Sequence, residues 1–124
     1  ANDVTVELVV SGLKQRLDLR IEMEIYRTIQ ELVTNAMKHS KCKELSIQLL
    51  RKEQEISILV EDDGIGFDVK SPNFKMGLGL RNIESRIEKM DGFIEFDAYP
   101  NRGTTANIKI PLKLENYDED TVSG

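Results

Sequence analysis

Residues 45–66 read LSIQLLRKEQEISILVEDDGIG. Apolar and polar residues alternate through Leu45–Leu49, and Ile56, Ile58 and Val60 recur at every second position, which is the period of a half-buried β-strand. The polar residues Lys52–Gln54 lie between these two segments, so we expect two antiparallel strands joined by a tight turn. The second strand runs into two aspartates and two glycines, residues that favour a turn. The hairpin therefore puts carboxylates and flexible backbone at one end of a predicted sheet.

The flanking segments predict three further strands with the same alternation, at Asp3–Val10, Phe93–Ala98 and Thr104–Ile110. A long helix is predicted from Leu19 to about His39, with Asp18 as its N-cap, because apolar residues recur every three or four positions. A second helix with this periodicity follows Gly77 and ends at Asp91–Gly92. The order strand, helix, hairpin, helix, hairpin predicts a two-layer α/β sandwich, with both helices on one face of a mixed, mostly antiparallel sheet.

Length and composition limit the classes of protein to consider. The 124 residues fit one domain, which we expect to occupy residues 1–114, followed by an acidic, disordered tail at 115–124. Seventeen basic and 22 acidic residues give a net charge of −5, which argues against a nucleic-acid binder, since such proteins need a basic surface.

Cysteine content and hydropathy give an expectation about location. Cys42 is the only cysteine, which fits a reducing, cytoplasmic compartment. No apolar run reaches the length of a membrane span, so we expect no direct membrane contact. The chain begins with Ala1 rather than Met, and a strand is predicted already from Asp3, which suggests a piece of a longer protein, and a membrane anchor elsewhere in that protein stays open.

Three polar residues of the long helix share one face. Glu31 and Asn35 are four residues apart, and Asn35 and Lys38 are three apart, so they are neighbours on a helix surface. A carboxylate, an amide oxygen and an ammonium group together can hold a hydrated Mg²⁺ ion and a phosphate chain. Asn is also a poor helix former, so its position within a helix asks for a reason. The alternative is an ordinary solvated helix face.

Three glycine-containing motifs lie nearer the end of the chain. In Asp62-Asp63-Gly64-Ile65-Gly66, a carboxylate can accept hydrogen bonds from an adenine amino group while glycines allow close backbone approach, although Asp-Gly also forms simple turns. In Gly77-Leu78-Gly79-Leu80, free N–H groups at a helix start can bind an anion, although a flexible connection would look the same. Gly103-Thr104 offers a hydroxyl at a strand start, or only a β-branched strand residue. A P-loop is absent, and no GxGxxG follows the first strand.

Taken in order, these motifs resemble the ATP-binding boxes of the GHKL superfamily, which includes histidine kinases, DNA gyrase, the large heat-shock chaperones and mismatch-repair ATPases. The resemblance covers Val4 to Leu112, nearly the whole chain. It comprises an N box, two glycine boxes and a terminal Gly-Thr, at Glu31…Asn35…Lys38-His39, Asp62-x-Gly64-x-Gly66, Gly77-x-Gly79-Leu80 and Gly103-Thr104. The short loop Asp68–Met76 is similar to the ATP lid of sensor histidine kinases with a very short lid, because gyrases and chaperones carry longer insertions.

The resemblance implies a Bergerat-type ATPase fold and a set of residues around the adenosine. Asp62 would bind the adenine amino group, with Gly64 and Gly66 shaping the pocket. Thr104 would lie beneath the adenine, and His39 would lie beside the base or the sugar.

A second set of residues would then surround the phosphates. Asn35 would ligate Mg²⁺, Lys38 would contact phosphate, and Glu31 would orient Mg²⁺-bound water or act as a base. Gly77-Leu78-Gly79-Leu80 would hinge the lid and donate N–H groups, and Lys75 would reach the γ-phosphate.

The function implied by the resemblance is that of the catalytic and ATP-binding domain of a bacterial two-component sensor histidine kinase. Such a domain uses Mg-ATP to phosphorylate a histidine on a separate dimerisation domain, for relay to a response regulator. His39 is the only histidine and belongs to the N box, so we expect nucleotide binding without autophosphorylation. Two alternatives stay open, a stand-alone anti-sigma-factor-type serine kinase and a degenerate, non-catalytic partner-binding domain. A histidine-bearing helical pair upstream would exclude the first, and the intact Asn35, Lys38 and Asp62 weigh against the second.

Overall fold

The computed structural model describes residues 3–13, 17–65 and 78–112. Within these ranges the chain forms, in order, β1 (Thr5–Ser11), α1 (Leu19–Asn35), β2 (Glu44–Lys52), β3 (Glu55–Asp62), α2 (Leu78–Lys89), β4 (Phe93–Tyr99) and β5 (Gly103–Pro111). Several predicted features lie outside the described residues, namely Gly66, Lys75, Gly77, the loop Asp68–Met76 and the tail at 115–124. Neither α1 nor α2 is both long and apolar enough to cross a membrane.

The five strands form one mixed sheet in the order β1-β2-β3-β5-β4. β1 pairs with β2 in parallel, and the other three pairings are antiparallel. The two predicted hairpins are confirmed, since Glu53–Gln54 join β2 to β3 and residues 100–102 join β4 to β5. β3 and β4 are connected along the chain through α2, but they are not neighbours in the sheet, because β5 lies between them.

The hydrophobic core lies between the sheet and the two helices. Both helices contribute fully or nearly buried side chains, among them Ile25, Leu32, Ile83 and Ile87. The strands contribute alternate residues from one face of the sheet, namely Leu45, Ile47, Ile56, Ile58, Val60, Ala106, Ile108 and Ile110. The residues between them are mainly polar, and both described helices pack on the other, apolar face of the sheet. The predicted two-layer α/β sandwich is confirmed.

The long helix begins as predicted but ends differently. The side chain of Asp18 accepts a hydrogen bond from the N–H of Arg20 at 2.8 Å, so Asp18 is the N-cap. The predicted extent to about His39 is confirmed, since the chain is helical to Ser40, but the α-helix itself ends at Asn35 and Ala36–Ser40 form a π-helical turn, which was not predicted. Short π segments are often found at functional sites. Hydrophobic periodicity gives no signal for one, since it reports which face is buried rather than which carbonyl each N–H bonds.

The first strand forms an edge of the sheet. It runs from Thr5 to Ser11 and not from Asp3 to Val10 as predicted. Val6, Leu8 and Val10 are paired with core-facing residues of β2, yet they are 50%, 61% and 49% exposed. The helices pack on strands other than β1. Helix α1 contacts the central strand β3, and α2 contacts β4 at the other edge of the sheet. The helix-side face of β1 therefore continues the core layer but is only half covered.

Candidate functional site

The predicted adenine-binding carboxylate lies at the end of a central strand. Asp62 is the last residue of β3 and lies two positions beyond the buried Val60, so its side chain is on the helix-covered face of the sheet. Its Oδ1 accepts a hydrogen bond from the N–H of Gly64 at 2.9 Å, a local turn typical of aspartate. Gly64 is buried and Asp62 is partly buried. The turn thus holds the carboxylate at the border between core and solvent.

Thr104 lies directly opposite Asp62 in the β3–β5 ladder. Paired residues in antiparallel strands project on the same face, so both predicted adenine contacts lie side by side. The Thr104 hydroxyl oxygen is buried and has no hydrogen-bond partner within the described part of the chain. A buried hydroxyl without a partner is unfavourable, which makes this position a candidate for a ligand contact.

Gly103 allows this close arrangement. Its φ is +84°, in the region that favours glycine, and a Cβ atom at this position would collide with the carbonyl oxygen of Asp62. The N–H of Asn101, in the preceding turn, donates to the carbonyl of Ile65. The β4–β5 turn therefore packs against the segment that follows Asp62.

Asp63, the next residue, ties the strand end to the region after α1. Its Oδ1 accepts hydrogen bonds from the N–H groups of Lys43 and Glu44, at 2.8 and 2.9 Å. The backbone N–H of Glu44, and then that of Lys43, hold the pKa of the Asp63 carboxyl below its usual range. This structural role was missed by the sequence analysis, which assigned no task to Asp63. The contact brings the chain just after the π-helical turn against the end of β3.

The remaining N-box residues lie where α1 passes into that turn. Glu31 and Asn35 are partly buried and lie one helical turn apart within α1, so they share a face as predicted. Lys38 is exposed within the π-helical turn, and His39 belongs to the same turn. A π turn contains more residues than an α turn, so Lys38 is displaced from the position that a continuous α-helix would give it.

The two helices run in opposite directions. Arg86 of α2 contacts Glu31, whereas the following residues 89–91 line a cavity together with the start of α1. Leu80 precedes Arg86 by six residues, about 9 Å of helix at 1.5 Å per residue. In α1, the same distance counted from Glu31 along the chain reaches past the end of the helix at Asn35. The start of α2, with the predicted Leu78-Gly79-Leu80, thus lies on the same side of the fold as the N box.

Arg86 makes contacts with α1 that the sequence analysis did not predict. Its Nε lies 3.0 Å from a carboxylate oxygen of Glu24, and its Nη1 lies 3.5 Å from one of Glu31. The sequence analysis assigned no partner to Arg86, because the two helices are far apart along the chain and periodicity does not say which helices pack together. The available sequence signal for this contact was the spacing of seven residues between Glu24 and Glu31.

A cavity lies at a different part of the described fold. It has a volume of about 440 Å³ and is lined by Asp18, Arg20, Ile21, Glu24, Arg86, Lys89, Met90, Asp91 and Pro111. Pro111 pairs with Glu55, the first residue of β3, whereas Asp62 is the last residue of that strand. The cavity is therefore at the opposite end of the sheet from the predicted nucleotide contacts. The described residues contain no cluster of His, Cys, Asp and Glu suited to a metal ion.

Comparison with known proteins identifies the family. Residues 20–114 match the family described as histidine kinase-, DNA gyrase B-, and HSP90-like ATPase. The chain belongs to this family. Among curated relatives of this ATPase domain, the sensor histidine kinase ComP of Bacillus subtilis strain 168 is 37% identical over 97 residues, covering 77% of the chain and 13% of ComP. Sensor histidine kinase LnrJ of the same organism is 35% identical over 114 residues, covering 92% of the chain and 28% of LnrJ.

Solved structures show the same ATPase fold. A blue-light activated histidine kinase of Erythrobacter litoralis superposes with a TM-score of 0.74 at 22% identity, over 94% of this chain and 38% of that one. The histidine kinase AdeS of Acinetobacter baumannii superposes with a TM-score of 0.72 at 24% identity, over 90% and 56%. The chain spans only 13% of the length of ComP and 28% of the length of LnrJ.

Proposed function

We propose that this chain is the cytoplasmic ATP-binding catalytic domain of a sensor histidine kinase. It binds Mg-ATP where the end of β3, the start of β5 and the facing ends of α1 and α2 meet. The γ-phosphoryl group then passes to a histidine on a separate dimerisation domain of the parent protein, for relay to a response regulator. The observation that carries the proposal is the buried Thr104 hydroxyl, which lies opposite Asp62 and has no partner among the described residues.

The adenine fits this pair of residues by its chemistry. Its amino group donates hydrogen bonds, which the Asp62 carboxylate can accept, and its ring nitrogens accept hydrogen bonds, which the Thr104 hydroxyl can donate directly or through a water. Gly103 lets the backbone of β5 approach Asp62 without a side chain in between, and Gly64 is buried. The buried Thr104 hydroxyl would then gain a hydrogen-bond partner when the nucleotide binds, which removes its unfavourable contribution to stability.

The metal and the phosphates fit the residues at the facing helix ends. Glu31 and Asn35 offer a carboxylate and an amide oxygen on one face of α1, and Mg²⁺ prefers oxygen ligands and bound waters. A bound Mg²⁺ neutralises charge on the phosphate chain during transfer. Lys38 is exposed and able to reach a phosphate, and the first N–H groups of α2 are suited to an anion.

Phosphoryl transfer asks little covalent chemistry of the protein. The bond between the γ-phosphorus and the bridging oxygen of ADP breaks as an imidazole nitrogen attacks in line, so catalysis rests on positioning and on charge stabilisation. Here Asp62 and Thr104 fix the base, and Asn35, Lys38 and Glu31 fix the phosphate end. The roles of Gly66, Lys75 and Gly77 in lid movement, and of His39 beside the nucleotide, stay predictions.

The names of the relatives support a histidine acceptor over a serine acceptor. ComP and LnrJ, 37% and 35% identical to this chain, are both named sensor histidine kinases. The phosphoacceptor domain, the response regulator and the cytoplasmic location belong to the proposal for the parent protein.

Calorimetric titration of ATP and ADP, with and without Mg²⁺, tests the site. Asp62→Asn should weaken ATP binding by about 1.5–3 kcal/mol, the contribution of a hydrogen bond to a charged group, or at least about tenfold. Asp91→Asn, after α2 at the opposite end of the sheet, is the matched control and should bind as the wild type does. No ATP binding by the folded wild type, or equal binding by Asp62→Asn, would contradict the proposal.

The acceptor requires a separate experiment. Incubated with radiolabelled Mg-ATP, this chain alone should form no acid-labile, base-stable phosphohistidine, because its single histidine lies in the π-helical turn after α1. Stable phosphorylation of His39 would show that the acceptor has been assigned to the wrong place.

A further inference from the structure

Arg86 of α2 joins two glutamates of α1. Its Nε lies 3.0 Å from Oε2 of Glu24, and its Nη1 lies 3.5 Å from Oε2 of Glu31. The two glutamates are seven residues apart, which is two helical turns and about 10 Å along the axis. One guanidinium group can span them because its N–H groups diverge in a rigid planar fork. The shorter contact, with Glu24, fixes the position of the guanidinium group. The same group then lies within 3.5 Å of Glu31.

The three side chains are more enclosed than ordinary surface ion pairs. Arg86, Glu31 and Glu24 are 20%, 28% and 32% exposed, so water and salt screen their charges less than at an open surface. Arg27 also contacts Glu24, at 3.5 Å, but it is 56% exposed and lies on the same helix. Among these pairs, only those of Arg86 connect α2 to α1.

The contact between Arg86 and Glu31 lies next to the proposed metal and phosphate end of the site. Glu31 lies one turn before Asn35, on the face that the proposed function assigns to Mg²⁺ and the phosphates. A carboxylate that orients a metal-bound water needs a fixed direction, and partners of such groups are themselves part of a working metal site. Arg86 is the described side chain that contacts Glu31 from outside its own helix.

We propose that Arg86 is a positioning residue, which holds the Glu31 carboxylate in place from α2 with Glu24 as its second anchor. The inference rests on the proposed function, because it assigns the contact to the metal and phosphate end of that same site. Arg86 itself touches neither nucleotide nor metal in this scheme. It acts through Glu31.

The first test measures how much Mg²⁺ strengthens ATP binding. The ratio of ATP dissociation constants without and with Mg²⁺ should fall about tenfold in Arg86→Gln, the usual loss when the partner of a metal-site group is removed. Arg86→Lys should restore part of the ratio, since it keeps the charge but not the fork. Lys89→Gln is the matched control, because it removes one positive charge from the same last turn of α2, and it should leave the ratio unchanged.

A double mutant shows whether Arg86 acts through Glu31. If it does, Arg86→Gln should change the ratio no further in a chain that already carries Glu31→Gln, because coupled residues give non-additive effects. Additive losses would mean that Arg86 contributes independently, and would overturn the inference.

A spectroscopic readout requires no nucleotide. In protein labelled with ¹³C at the glutamate carboxyl carbon, the Glu31 resonance should shift in Arg86→Gln and stay in place in Lys89→Gln. If Arg86→Gln does not fold, Glu24→Gln replaces it, since this variant removes the second anchor of Arg86 together with the exposed Arg27 contact, and it should shift the Glu31 resonance and lower the Mg²⁺ ratio in the same direction.

The possible failures are distinguishable. A folded wild type that binds no ATP would overturn the proposed function and this inference with it. A wild type that binds Mg-ATP, beside a folded Arg86→Gln with the same Mg²⁺ ratio, would overturn the inference alone. An unchanged Glu31 resonance in Arg86→Gln would do the same.

Discussion

Thr104 faces the same side of the sheet as Asp62, directly opposite it in the β3–β5 ladder, and its hydroxyl is buried with no partner among the described residues. In a free protein such a hydroxyl lowers stability, because it has lost its hydrogen bonds to water and gained none. The proposed function gives this hydroxyl a partner, because it lies beside the Asp62 carboxylate at the strand end where the adenine would bind. Stability and affinity should therefore respond to this residue in opposite directions.

Thr104→Val tests that opposition. Valine has nearly the same shape without the hydroxyl, so the free energy of unfolding of the nucleotide-free protein should rise by about 1 kcal/mol, as an unsatisfied buried group is removed. ATP binding should weaken by about 0.5–1.5 kcal/mol, the usual contribution of one neutral hydrogen bond. Urea denaturation and calorimetry measure the two quantities.

Thr105→Val is the control for this pair of measurements. It makes the same substitution at the next residue of β5, whose side chain projects on the opposite face of the sheet. It should leave ATP affinity unchanged. A Thr104→Val variant that binds ATP as tightly as the wild type would remove Thr104 from the site.

Gly103→Ala should destabilise the fold. The position has a φ of +84°, and the added methyl group would collide with the carbonyl oxygen of Asp62. The left-handed backbone alone costs about 1–2 kcal/mol for a residue with a Cβ atom, and displacement of Asp62 should also weaken ATP binding. Asn101→Gly in the preceding turn, where φ is +61°, is the control and should change stability by less than about 0.5 kcal/mol. Wild-type stability of Gly103→Ala in urea would contradict the prediction.

Asp63 should make stability depend on pH in the acid range. Hydrogen bonds from the N–H groups of Glu44 and Lys43 lower the pKa of the Asp63 carboxyl in the folded state. A folded pKa below the unfolded one means that the stabilisation is fully present above the unfolded pKa, about 3.9, and is lost as the pH falls through the folded pKa. The difference in free energy of unfolding between wild type and Asp63→Asn should therefore be largest near neutral pH and disappear in acid.

Urea denaturation across the acid range measures this difference. Asp97→Asn, at an exposed position of β4, is the control and should be less destabilising than Asp63→Asn near neutral pH. A wild-type advantage over Asp63→Asn that stays constant from neutral pH into strong acid would show that the Asp63 charge is not its source.

Two valines on the same face of the sheet should differ in their contribution to stability. Val60 in β3 is 5% exposed beneath the helices, whereas Val10 in the edge strand β1 is 49% exposed. Val60→Ala removes two buried methyl groups and should cost about 1.5–3 kcal/mol of unfolding free energy. Val10→Ala, the same substitution, should cost about 0.5 kcal/mol or less. Equal urea midpoints for the two variants would mean that the face of β1 is covered in solution.

The sequence analysis proposed members for the nucleotide site but did not predict how the surrounding segments are arranged. The family boxes gave Asp62, Asn35 and Thr104 because each motif is short and local. The hydrogen bonds of Asp63 to the start of β2, and those of Arg86 to α1, join segments distant along the chain. Neither follows from spacing, since motifs report residue types in order and not which segments meet.

The sequence by itself determined the type and order of the elements. Alternation at period two specified the strands, and apolar residues every three or four positions specified α1 and α2, because each element must bury one face. Tertiary structure decided which partners those faces meet. It inserted β5 between β3 and β4, which puts Thr104 beside Asp62. It also left β1 at the edge with Leu8 61% exposed, since alternation records that a strand has an apolar face and not whether a helix will cover it.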